Sequence, residues 1–135
     1  MCEVESESAS FKAPEGWRLR GIRGATVVAS NSAELIDAAT AELLEKLIQA
    51  NGLRPEQIVS IIFTATPDLN AGFPAAAARR MGLSSVPLLC AQEIAVPGSL
   101  ERCIRVLIHA YTPASSDGVK HIYLGAAASL RPDLL

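Results

Sequence analysis

The stretch CIRVLIHA, residues 103–110, decides how the rest of the chain is read. Alternation along a strand sends Cys103, Arg105, Leu107 and His109 to one face and Ile104, Val106, Ile108 and Ala110 to the other. The run reads as a buried strand with an arginine set into it. Leaving a buried cation unpaired costs on the order of several kcal/mol, so Arg105 should meet an anion, either the chain's own or a ligand's.

Working outward, apolar strands are expected at 58–65 (IVSIIFTA), near 86–91 (VPLLCA) and near 121–129 (HIYLGAAAS). A first strand is expected in WRLRGIRGATVVAS from Trp17, interrupted by Gly21 and Gly24, where glycine allows a bulge or a close backbone approach. NSAE at 31–34 resembles a capping box with Asn31 as N-cap and Glu34 reaching back. It opens a helix with Leu35, Ile36, Ala39, Leu43, Leu44, Leu47 and Ile48 on one face, ended by Asn51-Gly52. A shorter helix is expected at 75–81, with Pro74 at its start and Gly82 after it. The order β-α-β-α-β-β-β indicates an α+β fold, a mixed sheet with helices on one face. Two helices cannot cover both faces of a sheet this apolar, so the bare face is expected to pack against other copies of the chain.

At 135 residues the chain has room for one domain. Residues 1–16, polar and closed by Pro14 and Gly16, are expected to form a flexible tail before a single domain at 17–135. Twelve Lys and Arg against fourteen Asp and Glu, without a basic cluster, point away from nucleic acid and anionic membranes. Three cysteines, Cys2, Cys90 and Cys103, make neither a disulfide framework nor a zinc knuckle, which fits a reducing cytoplasm. The acidic first sixteen residues do not read as a targeting segment, and no apolar run is long enough to span a membrane.

His109 and His121 are the only histidines, and they have no carboxylate at ligand spacing, so no metal set is expected. There is no G-x-S-x-G elbow and no phosphate-binding glycine loop; GIRGAT lies within a strand-like stretch. What remains is a set of arginines: Arg23, Arg105, the pair Arg79-Arg80, and Arg131. The planar guanidinium fork matches carboxylates, so convergent arginines would suit a small dianion. Arg79 and Arg80 also fit a solvated helix face, whereas Arg23 and Arg105 sit among apolar residues. Glu93 follows a strand end, where it could pair with Arg105 or accept from a hydroxyl. Cys90, Tyr123 and Phe73 fit core positions as well as pocket walls.

In order and spacing, RGIRGAT, TATPDLNAGFPAAAAR, VPLLCAQE, LERCIRVLIHAY, HIYL and LRPDL resemble the Bacillus-type (AroH-class) chorismate mutases over residues 17–135. The resemblance implies a homotrimer whose sheets form a pseudo-α/β-barrel, with active sites in clefts between subunits. It implies an isomerase that converts chorismate to prephenate for phenylalanine and tyrosine synthesis, without a cofactor. A pericyclic rearrangement has no proton transfer and no covalent enzyme intermediate, so neither a base nor a nucleophile is required. By the same resemblance Arg105 faces the ether oxygen and contacts a substrate carboxylate, so that its anion is the ligand's. Glu93 and the Cys90 segment meet the ring hydroxyl and the ring, and Arg23 and Tyr123 contact carboxylates. Phe73, Ala75, Leu88 and Leu130 form walls, and Arg79 and Arg131 are peripheral.

Two positions depart from the family pattern. Ala76 replaces a rim lysine, which removes a cation and leaves Arg79 as the one nearby; Leu89 replaces a threonine at a contact made partly by backbone. Two alternatives share parts of this picture. One is a YjgF-like imine or enamine deaminase, also trimeric and arginine-based, which GIRGAT, CAQE and CIRV together do not fit. The other is a non-catalytic carboxylate-binding trimer, in which Glu93 would have no task.

Overall fold

A computed structural model describes residues 11–131; residues 1–10 of the expected tail and residues 132–134 of the LRPDL motif lie outside the described residues. The elements are β1 (Arg18–Val27), α1 (Ala33–Asn51), β2 (Ile58–Ala65), α2 (Ala75–Ala78), β3 (Leu88–Gln92), β4 (Cys103–Thr112) and β5 (Ile122–Tyr123). The sheet order is β3-β2-β4-β1-β5. The central β4 runs antiparallel to both β1 and β2, whereas β2/β3 and β1/β5 are parallel, which makes the sheet mixed.

The CIRVLIHA pattern sets the layers. Ile104, Val106, Ile108 and Ala110 are buried, and Val106, Ile108 and Ala110 share one core with Ile22, Ile61 and Phe63 of the neighbouring strands, Leu43, Leu44 and Leu47 of α1, and Ala75 and Ala78 of α2. Both helices therefore cover one face. Gly24 makes that packing possible: a Cβ there would sit 2.7 Å from a Leu47 methyl and 3.1 Å from the Ile122 carbonyl. β1 keeps an unbroken register from Arg18 opposite Thr112 to Val27 opposite Cys103, so its glycines mark close approach and not a bulge. The irregularity falls in β2, between Ile58 and Ser60.

Four local expectations are corrected. The cap of α1 is Ser32, whose hydroxyl accepts from the Leu35 N–H at 3.1 Å. Asn31 instead binds the loop opposite, its Oδ1 accepting from the N–H groups of Asn70 and Ala71. The helix expected at 75–81 is regular only to Ala78 and then widens into a π-type turn over Arg79–Leu83, where Gly82 takes φ 92°. β3 starts at Leu88, because Pro87 has no N–H to give a ladder. The strand expected at 121–129 keeps only Ile122 and Tyr123: Gly125 turns the chain at φ 57°, and Gly125–Leu130 forms a 3₁₀ helix.

That C-terminal turn folds over the opposite face at one end, where Ala127 packs with Ala25 and Cys103 against Val27, Leu100, Tyr123 and Leu130. The rest of this open face is mixed in character. It carries Leu19, Ile62, Leu89 and Leu107 beside Arg23, Ser60, Thr64, Arg105 and His109. Within the described part of the expected tail, Phe11 lies against Trp17 and Tyr111, with ring centroids 6.0 and 6.2 Å apart.

Candidate active site

Arg105 sits at the centre of the open face, opposite Thr64 of β2 and Ala25 of β1. Its side chain is 48% exposed, so it is not the buried cation that the strand pattern suggested, and it meets an anion of the chain itself. Glu93 follows β3 by one residue, and its N–H donates to the Ala65 carbonyl at 2.9 Å, which holds the carboxylate beside the end of β2. Arg105 Nε lies 3.1 Å from Glu93 Oε2, and the Thr64 hydroxyl donates to that same oxygen. Three segments distant in sequence meet because the sheet order sets β3, β2 and β4 side by side.

Around this pair lies a cleft of about 330 Å³ lined by Arg23, Ile62, Thr64, Glu93, Arg105, Leu107, Tyr123 and Arg131. Five of the residues picked out from the sequence thus converge: Arg23, Glu93, Arg105, Tyr123 and Arg131. Leu130 adjoins them, lining a neighbouring cavity of about 880 Å³ that Glu93 and Arg105 also border. The Arg23 N–H donates to His121 Nδ1 at 3.0 Å. His121 is held below the ordinary histidine value of 6.5, first by burial and then by the cations of Arg23 and Arg131.

The other picked residues lie apart. Phe73, 71% exposed, and Cys90 line a second cavity of about 480 Å³ beneath the loop that precedes α2. Ala75 is buried at the start of α2, and Leu88 packs against the helix-side core. Leu89 is exposed on the open face opposite Ile62, and Arg79 is exposed just after α2. Arg80 pairs with Asp37 of α1, which leaves Arg79 as the freer of the two cations for a ligand.

Sequence reading missed Thr64 and the anchor of β4. Arg102 adopts φ 49°, a left-handed conformation that costs on the order of 1 kcal/mol for a residue with a side chain. It is held there by Asp68, whose carboxylate accepts the Arg102 N–H, and by the Val28 carbonyl, which accepts from Arg102 Nε at 3.0 Å. Thr66 bonds Asp68 and accepts from the Cys103 N–H at 2.9 Å; hydrogen bonding, first from Thr66, pulls the Asp68 carboxyl below its usual value. The T-P-D spacing of residues 66–68 was the available signal for this turn. Burial raises the Cys103 thiol, which disfavours the nucleophilic thiolate. Among the described residues no group of three His, Cys, Asp or Glu could hold a metal ion.

The class that the fold and cleft define is an α+β domain with three arginines, a tyrosine and a carboxylate lining one open cleft, a charge set that suits a small dianion. Comparison with known proteins narrows the class. The profile of the family described as chorismate mutase type I matches residues 19–134. The chain is 51% identical over 117 residues to the chorismate mutase AroH of Thermus thermophilus, covering 86% of this chain and 96% of the relative. It is 46% identical to the chorismate mutase AroH of Bacillus subtilis strain 168, covering 86% and 92%. The solved structure of a chorismate mutase from Clostridium thermocellum superposes with a TM-score of 0.80 at 51% identity, covering 82% of this chain and 98% of that one. The chain belongs to the chorismate mutase type I family, which sets aside the deaminase and the non-catalytic trimer.

Proposed function

We propose that Arg105 and Glu93 carry the rearrangement of chorismate to prephenate in a cleft completed by a neighbouring copy of the chain. The activity itself follows from the family: the chain is an isomerase, EC 5.4.99.5, of aromatic amino-acid biosynthesis. The observation that carries the mechanism is the placement of Arg105, half-exposed on the open face and held by Glu93 at 3.1 Å, in the same cleft as Arg23, Tyr123 and Arg131.

As the ether bond of the substrate breaks, its oxygen gains negative charge. A guanidinium already fixed beside that oxygen stabilises the transition state more than the bound substrate, without reorganising during the reaction. The second contribution is geometric: arginines on both substrate carboxylates hold the reactive, folded conformer. Arg23 and Tyr123 serve this end, with Arg131 at the rim. Both contacts to Glu93 fall on Oε2, so Oε1 is the oxygen that accepts the ring hydroxyl.

The division of the picked residues into two cavities supports a site shared between subunits. Phe73, Cys90 and Arg79 of one copy complete the cleft of the next, and the exposed apolar side chains Leu19, Leu89 and Phe73 become covered on assembly. A homotrimer satisfies this arrangement. Ala76 is exposed three residues before Arg79, so the two share one helix face, and Arg79 supplies the cation that Ala76 lacks. A reducing cytoplasm suits the unpaired thiols of Cys90 and Cys103, and no helix among the described residues is long and apolar enough to cross a membrane.

The test is direct. Purified protein mixed with chorismate should accelerate the loss of its ultraviolet absorbance, with prephenate as product and light scattering at the mass of a trimer. No acceleration over the uncatalysed reaction, or full activity in a stable monomer, would overturn the reading.

A further inference from the structure

We propose that His121 is a positioning residue for Arg23, its Nδ1 lone pair fixing the main chain of β1 at the point from which the Arg23 guanidinium enters the cleft. The inference rests on the reading of Arg23 as a carboxylate contact. β5 is only two residues long and pairs with Gly24 and Ala25, so the ladder ends one residue short of Arg23. The side chain of His121, immediately before β5, stands in for the missing carbonyl and accepts the Arg23 N–H at 3.0 Å.

The acceptor is itself anchored. The Lys120 N–H donates to Asn51 Oδ1 at 2.9 Å, and Asn51 Nδ2 donates to the Lys120 carbonyl at 2.9 Å, fastening the segment before His121 to the end of α1. An Nδ1 that accepts is unprotonated, so the ring is neutral with its hydrogen on Nε2. The charged groups acting on the ring are Arg23 from β1 and Arg131 from the C-terminal segment, both cations, while Lys120 and Tyr123 flank it in its own segment. A proton on Nδ1 would remove the acceptor and set a third cation beside those two. Since the folded value lies below 6.5, stability tied to the neutral ring is complete above pH 6.5 and is lost as pH falls below it.

A pericyclic step transfers no proton, so an acid limb in substrate affinity with a flat kcat points to a group that positions and not to a general acid or base. The experiment compares wild type, His121→Asn and His121→Ala between pH 5 and 8, measuring kcat and KM for chorismate. It also follows the Arg23 amide and the His121 ring by NMR. Asparagine sets an oxygen near the position of Nδ1 and cannot be protonated. Wild-type KM should rise about tenfold as pH falls below 6.5 while kcat stays within about twofold, a range set by the loss of one hydrogen bond to a held group. His121→Asn should keep a low KM down to pH 5, and His121→Ala should show the high KM at every pH. An acid limb retained in His121→Asn, or an Arg23 amide that ignores the ring titration, would overturn the proposal. The NMR readout does not depend on turnover: a protein inert toward chorismate whose Arg23 amide still follows the ring would overturn the functional reading and leave the coupling standing.

Discussion

The two faces of β4 meet different surroundings, and the residues divide accordingly. On the helix side Ile104, Ile108 and Ala110 are fully buried and Val106 nearly so, packed within apolar clusters. On the other side Arg105, Leu107, His109 and Tyr111 keep contact with solvent. Arg105 is paired with Glu93, and His109 Nδ1 lies 3.1 Å from the Ser60 hydroxyl. One strand thus supplies both the hydrophobic burial that stabilises the domain and a cation that faces the open cleft. The helix-side face is buried and carries no charge along β4, whereas the open face holds its cation in a half-wet position beside one anion and leaves the guanidinium accessible.

Substitutions on the two faces should therefore fail in different ways. Arg105→Lys should lower kcat/KM by ~10³, because an ammonium cannot span the ether oxygen and a carboxylate as the planar fork does, while Tm shifts by only a few degrees. Ile108→Ala should do the reverse: a loss of about 2–5 kcal/mol in denaturant unfolding, with kcat per folded site nearly unchanged. Comparable damage to kcat from Ile108→Ala, or to stability from Arg105→Lys, would erase the distinction. Thr64→Val, which removes the hydroxyl from Glu93 and keeps the shape, should lower kcat/KM about tenfold, and Thr64→Ser should restore it. The smallest effect belongs to the N-terminus. Deleting residues 2–10 should leave turnover within about twofold, whereas deleting 2–15 also takes Phe11 from Trp17 and Tyr111 and should cost about 1 kcal/mol of stability.

What could be read from the sequence follows the same division. The apolar run at 58–65 located β2 to the residue, and period-two alternation, which a buried face imposes, read residues 103–110 of β4, Cys103–Thr112. It failed at 124–130, where an apolar run of alanines carries no period and Gly125 alone redirects the chain. The capping-box pattern misplaced the cap of α1, since Asn31 and Ser32 are both good caps and only the loop at Asn70 decides between them. Arg105 stands out as a charge in an apolar run, and of the two anions open to it the fold supplies the chain's own, Glu93, which the sequence already marks as a possible partner. Thr64 was invisible for another reason. Nothing local links residues 64, 93 and 105; the sheet order β3-β2-β4 does.

The role of Arg105 is tested most directly by replacing it with citrulline, which keeps the shape and most hydrogen bonds and removes the charge. Single-turnover rates and substrate affinity should be measured separately on the folded protein. If the cation acts on the transition state, the rate of the chemical step should fall by ~10³ or more while affinity weakens far less. A neutral variant with a near-normal rate and a large loss of affinity alone would show Arg105 to be a carboxylate anchor, and would contradict the catalytic role given to it.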